Sequence, residues 1–124
     1  MAQILIIDDD PYVRRFYEHL FKLNRYDIDI AGSGEEGIRK AKVLKPQLIL
    51  LDIMMPKMNG LEVLKILKED PQTSSAKVIV LSNLEDNSVA GRAAVLGASG
   101  FIIKSQVTDA ELLSAIDSHL TAKK

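Results

Sequence analysis

Four short apolar runs punctuate the chain: Ile4-Leu5-Ile6-Ile7, Leu48-Ile49-Leu50-Leu51, Val78-Ile79-Val80-Leu81 and Phe101-Ile102-Ile103-Lys104, the last closing on a cation. Each is of strand length and bounded by polar or turn-forming residues and predicts a strand, and the unbroken Leu48–Leu51 run predicts one buried on both faces. A fifth segment, Asp27-Ile28-Asp29-Ile30-Ala31, alternates polar and apolar as a half-buried edge strand does. Between these runs the apolar period becomes helical. Val13, Phe16, Leu20 and Leu23 predict the inner face of a first helix, with Asp10 as its N-cap and Pro11 at its first position. Gly37, Ile38, Ala41 and Leu44 mark a second, entered through the capping-box pattern Ser33-Gly34-Glu35-Glu36 and stopped by Pro46. Leu61, Leu64 and Leu67 mark a third, with Asn59 as cap. A short helix near Val89 to Leu96 has Gly91 inside it and few large apolar anchors, so it is expected to be the least stable. Leu112, Leu113, Ile116 and Leu120 mark the last, behind the capping box Thr108-Asp109-Ala110-Glu111, with residues 121–124 expected to fray.

Strand and helix thus alternate five times across short connections. Parallel strands need such helical crossovers, so the expected class is α/β, a doubly wound parallel sheet between two helical layers. No internal repeat or linker interrupts the 124 residues, and residues 1–124 are expected to form one domain.

Composition narrows the function by exclusion. A net charge of −1 with no basic stripe argues against direct nucleic-acid binding by this chain. The absence of cysteine removes disulfide and thiolate–metal chemistry and agrees with a cytoplasmic location. No signal peptide is expected ahead of the first strand, and no apolar run approaches membrane-spanning length. His19 and His119 stand far apart without ligand spacing and are expected at the surface or at helix ends.

The chemistry gathers at the strand ends. In a parallel sheet the C-terminal ends of the strands share one rim, where open α/β sheets place their ligand sites. Asp8 and Asp9 follow the first strand, Asp52 the third, Ser82 the fourth, and Lys104 ends the fifth. Singly, each has a plain structural explanation as a cap, a turn or a solvated strand end. Together they form a complementary set of three carboxylates, a hydroxyl and an ammonium. Crowded carboxylates raise one another's pKa, and a hard divalent cation relieves that repulsion. An all-oxygen set without His or Cys favours Mg²⁺, with Mn²⁺ as an alternative. A carboxylate beside such an ion can also attack phosphorus as a nucleophile, with the lysine and the metal neutralising phosphoryl charge.

The stretches Ile4-Leu5-Ile6-Ile7-Asp8-Asp9-Asp10-Pro11, Leu50-Leu51-Asp52-Ile53-Met54-Met55-Pro56-Lys57-Met58-Asn59-Gly60, Leu81-Ser82, and Gly97-Ala98 through Phe101 to Lys104 carry a family signature. On these residues the chain resembles, over essentially its whole length, the receiver (CheY-like) domain of bacterial two-component response regulators. The resemblance implies a flavodoxin-like five-stranded sheet in the order 2-1-3-4-5, for which the family is itself a standard example. It further implies Asp52 as phosphoacceptor, and Asp8, Asp9, Asp52 and the backbone carbonyl of Met54 as Mg²⁺ ligands. Ser82 would be the switch hydroxyl, Lys104 the phosphoryl-binding lysine and Phe101 the switch aromatic. Ser105 stands where the family usually has proline, which predicts a looser or shifted loop after the fifth strand. Asn83 replaces a small residue and is expected to narrow access to the site. Met54 and Leu84 are apolar at the two variable positions that flank the hydrolytic water, which predicts a long-lived phosphoryl group.

The resemblance therefore implies a signalling switch. A sensor histidine kinase or histidine phosphotransfer protein donates to Asp52, and the face of the fourth helix, fifth strand and fifth helix engages a downstream protein. The chain is expected to be a monomer or a phosphorylation-dependent dimer, and to catalyse only its own phosphoryl transfer and autodephosphorylation. A small phosphohydrolase with an Asp nucleophile is the main alternative. Such an enzyme needs a second acid/base Asp where Met54 stands, and a cap for which the short connections leave no room. A protein-binding module without phosphorylation leaves the acidic set and Lys104 unexplained.

Overall fold

The computed structural model describes residues 3–55, 58–83 and 87–121. Pro56, Lys57, Leu84, Glu85, Asp86 and the tail from residue 122 lie outside the described residues. The elements run β1 (Ile4–Ile7), α1 (Pro11–Leu23), β2 (Ile28–Ala31), α2 (Gly34–Leu44), β3 (Leu48–Asp52), α3 (Gly60–Glu69), β4 (Lys77–Ser82), α4 (Asn87–Val95), β5 (Gly100–Ile103) and α5 (Asp109–Thr121). All five strands are parallel, in the order β2-β1-β3-β4-β5. This is the flavodoxin-like, doubly wound sheet, and the alternating segment β2 is an edge strand as its pattern predicts.

Alternation along the strands divides the core in two. Leu5, Ile7, Ile49, Leu51, Val78 and Val80 face the layer of α2, α3 and α4, where Ala41, Leu64, Leu67 and Ala93 meet them. Ile4, Ile6, Leu48, Leu50, Ile79 and Leu81 face α1 and α5, against Tyr17, Phe21, Leu112 and Ile116. A strand covered on both sides has no solvent face, which is why these runs read as unbroken apolar blocks.

The caps follow from local chemistry. The Asp10 side chain accepts from the Tyr12 and Val13 N–H groups, Asn59 and Glu62 form a reciprocal box, and so do Thr108 and Glu111. At α2 the Ser33 hydroxyl accepts from the Glu36 N–H, but the Glu36 carboxylate reaches one residue further back, to the Gly32 N–H at 2.7 Å. Lys45, with φ 48°, closes α2 in the left-handed region before Pro46.

One face differs from the sequence expectation. On α1 the buried side chains are Tyr17 and Phe21, whereas Phe16 and Leu23 are 51 % and 67 % exposed. The apolar residues of α1 cover a wide arc, from Tyr12 round to Phe21, so spacing alone leaves open which part of that arc is buried. Aromatic packing selects that part: Phe21 stacks on Tyr17 and meets Tyr26 edge-on, with centroids 5.8 and 6.0 Å apart.

Candidate functional site

The strand register brings the site together. Ile7 of β1 pairs with Leu51 of β3, so Asp8 and Asp52 leave adjacent strands side by side. Asp52 pairs with Leu81, and Ser82 with Ile103, which sets Lys104 beyond the end of β5 on the same rim. Asp8, Asp9, Asp10, Val13, Asp52, Met54, Asn83 and Lys104 line a cleft of about 240 Å³.

One carboxylate oxygen each from Asp8, Asp9 and Asp52 lies within 4.8 Å of the others, the sole grouping of potential ligands of this size among the described residues. An all-oxygen set at this spacing fits a hard divalent ion and suits neither zinc nor a soft metal. Asp8 and Asp52 are buried while Asp9 is half-buried, so the cluster opens to solvent on the Asp9 side.

Lys104 lies between two of the carboxylates. Its Nζ is 2.9 Å from Asp8 Oδ2 and 3.6 Å from Asp52 Oδ1. Burial works to lower the pKa of this ammonium, but its bond to Asp8 and the charges of Asp52 and Asp8 outweigh that, and the net shift is upward. Asp52 moves the other way from an ordinary acid. Burial pushes its pKa from 3.8 to about 6, opposed by Lys104 and by the Met54 N–H and reinforced by Asp8 and Asp9. Asp8 is further fixed by the Asp10 N–H, which donates to its Oδ1 at 3.0 Å.

The remaining sequence candidates occupy distinct places. Met54 lines the cleft with a 61 % exposed side chain. Ser82 is fully buried at the end of β4 and is absent from the cleft wall, where the exposed Asn83 stands instead. Phe101 is half-buried against the α2/α3/α4 core. Lys104, Ser105 and Gln106 form one turn of 3-10 helix, so the strand ends one residue earlier than its apolar run suggests. Neither histidine lines the cleft.

Gly60 has a role that its place after a turn motif does not reveal. A β-carbon there would run into the backbone carbonyl of Asp52 and lie 2.7 Å from Ile53 Cα, while the Gly60 N–H donates to the Ile53 carbonyl at 2.8 Å. The start of α3 therefore rests directly on the backbone that carries Asp52. Arg14 also escapes sequence reasoning, because an arginine in the second turn of a helix looks like any solvated residue. Its Nη1 donates to the Asp8 carbonyl at 2.8 Å.

The chain is thus a doubly wound parallel sheet with an acidic triad and a lysine on its C-terminal rim. The model of the response regulator receiver domain matches residues 4–117, and the chain belongs to that family. The nitrate/nitrite response regulator protein NarL of Escherichia coli is 40 % identical over 93 % of this chain and 53 % of its own length. The chemotaxis protein CheY of Thermotoga maritima is 36 % identical, covering 82 % of this chain and 84 % of that protein. Among solved structures, a CheY-like receiver domain protein from Methanospirillum hungatei superposes with a TM-score of 0.88 at 27 % identity, over 97 % of this chain and 94 % of the other. The chain spans about half the length of NarL and of the transcriptional regulatory protein LnrK of Bacillus subtilis. Among the described residues, no helix is long and apolar enough to cross a membrane.

Proposed function

We propose that this domain, read as a single unit over residues 1–124, is a phosphorylation-activated switch in which Asp52 accepts a phosphoryl group from a phosphohistidine. The observation that carries the reading is the placement of Asp52 at the end of β3, with Asp8 and Asp9 oxygens within 4.8 Å and Lys104 at 3.6 Å. Mg²⁺, or Mn²⁺ in its place, held by Asp8, Asp9, Asp52 and the Met54 carbonyl, would supply the neutralisation of phosphoryl charge that this transfer requires. An Asp52 carboxylate oxygen forms the new O–P bond as the donor's N–P bond breaks. The electron pair stays on the imidazole nitrogen, which takes up a proton. Lys104, already shared between Asp8 and Asp52, then holds a phosphoryl oxygen. Ser82 and Phe101 provide the readout. The buried hydroxyl turns toward the new acceptor oxygens and the half-buried ring follows it inward.

Two surfaces fit the partners of such a switch. Tyr12, Phe16 and Leu23 leave an apolar strip on α1, 79 %, 51 % and 67 % exposed, running from the cleft rim down the helix. A kinase or phosphotransfer protein that brings its phosphohistidine to Asp52 meets this strip first. On the opposite flank α4 carries Val95, 87 % exposed, beside a groove lined by Ser88, Gly91, Arg92 and Leu96. That flank, with β5 and α5, is the output face toward a downstream protein, as a monomer or a phosphorylation-dependent dimer. The setting is cytoplasmic, with neither nucleic acid nor membrane contacted directly by this domain. Its only catalysis is its own phosphoryl transfer and autodephosphorylation.

The test is labelling with acetyl phosphate in Mg²⁺. Wild type should acquire one acid-stable, base-labile phosphate, and Asp52→Asn none while remaining folded. Full labelling of Asp52→Asn would place the acceptor elsewhere. Hydrogen exchange with a beryllofluoride phosphoryl mimic should change first in α4 and β5, and changes confined to α1 would refute the output face.

A further inference from the structure

We propose that Arg14 is a positioning residue for the divalent-cation site. It fixes the backbone of Asp8, so that the β1–α1 turn presents Asp8 and Asp9 correctly, and it does so without occupying a carboxylate. The inference rests on the reading that Asp8, Asp9 and Asp52 hold Mg²⁺.

The half-buried Arg14 guanidinium spans two turns of the rim. Its Nη1 donates to the Asp8 carbonyl at 2.8 Å. The same nitrogen lies against Gly32 in the β2–α2 turn: a β-carbon at Gly32 would sit 3.0 Å from Nη1, 3.3 Å from Cζ and 3.6 Å from Nη2. That seat is itself anchored. The Gly32 N–H donates to Glu36 at 2.7 Å, and the Asp8 N–H donates to the Ala31 carbonyl at 3.1 Å. Gly32 lies outside the left-handed region, so its missing side chain matters here as room for the guanidinium rather than for the backbone.

The choice of acceptor matters. Asp8, Asp9 and Asp10 all lie within six positions of Arg14, yet among the described residues none forms an ion pair with it. A guanidinium paired to a carboxylate takes the lone pairs a metal needs. One bonded to the carbonyl of a ligand residue orients that residue and leaves its carboxylate free. A planar fork with several N–H groups can hold the carbonyl and rest on Gly32 together, which a single ammonium cannot. Groups that orient a ligand without touching the metal typically change affinity by about 10–100-fold.

Electrostatics and geometry predict opposite signs, which makes the inference decidable. Removing a cation near the site should tighten Mg²⁺ binding if charge is all that matters. Loss of positioning should weaken it. The experiment measures the Mg²⁺ dissociation constant by calorimetry for wild type, Arg14→Gln, Arg14→Lys and Gly32→Ala. The last variant keeps the charge and crowds the guanidinium. Urea melts without Mg²⁺ and acetyl phosphate labelling at saturating Mg²⁺ accompany each. The expected result is a dissociation constant raised by about tenfold or more in Arg14→Gln and Gly32→Ala, less in Arg14→Lys, with labelling restored at saturating Mg²⁺. Unchanged or tighter Mg²⁺ binding, whether or not the melts shift, overturns the inference while leaving the function intact. Wild type that binds no Mg²⁺ at all overturns both.

Discussion

Asp52→Asn should stabilise the metal-free protein, and by an amount that depends on pH in a specified way. Asp52 is 8 % exposed, and its pKa is raised from 3.8 to about 6, chiefly by burial. Between those values the folded state holds a proton that the unfolded state has released. Stability therefore falls as pH rises through that window, and the loss is complete above the folded value. A rise from 3.8 to about 6, at about 1.4 kcal/mol per pH unit, corresponds to about 3 kcal/mol of destabilisation at pH 7.5. The same linkage leaves only about 1 kcal/mol at pH 4.5. Asparagine keeps the shape and discards the charge, so the variant should gain most of this at pH 7.5 and little at pH 4.5. Urea denaturation of both proteins at the two pH values, without divalent ions, gives the difference directly. Titration of carboxylates distant from Asp52 is common to both proteins and cancels. Added Mg²⁺ should then stabilise wild type more than the variant and close the gap, since an ion that binds only the folded state adds to its stability. A variant that is no more stable at pH 7.5, or whose advantage is the same at both values, would refute the view that Asp52 is a strained, desolvated carboxylate.

Two glycines should respond in opposite directions to alanine. Gly60→Ala forces a β-carbon into the Asp52 backbone and should cost about 1–3 kcal/mol in urea melts, with slowed acetyl phosphate labelling. Gly91→Ala meets nothing within 4 Å on an exposed helix and should stabilise by about 0.5–1 kcal/mol in the same assay; destabilisation there would contradict the open surface of α4. Met54→Asn puts a polar side chain where an exposed methionine lines the cleft, and should speed loss of phosphate from the purified phosphoprotein in Mg²⁺ by helping to orient the attacking water. An unchanged rate would show that Met54 does not govern the lifetime.

What the sequence determined by itself was whatever depends on local chemistry and simple period. Unbroken apolar runs at Ile4–Ile7 and Leu48–Leu51 have the length and pattern of strands covered on both faces, and strands joined by short helical crossovers pair in parallel. Asp8, Asp9, Asp52, Ser82 and Lys104 could be assigned to one rim because parallel strands all end on the same side. Tertiary structure decided what depends on contacts between distant segments. Which part of the apolar arc of α1 is buried was settled by Tyr17, Phe21 and Tyr26 meeting over the sheet, since an arc that wide leaves its innermost line open. That Lys104, in its 3-10 turn, bonds Asp8 more closely than Asp52 is a contact between distant segments that spacing does not encode. Ser82 was legible as a rim residue, but its complete burial was not. Arg14 carried no signal, because its hydrogen bond is to a backbone carbonyl, which every residue possesses, and its seat is the missing β-carbon of Gly32, eighteen positions away.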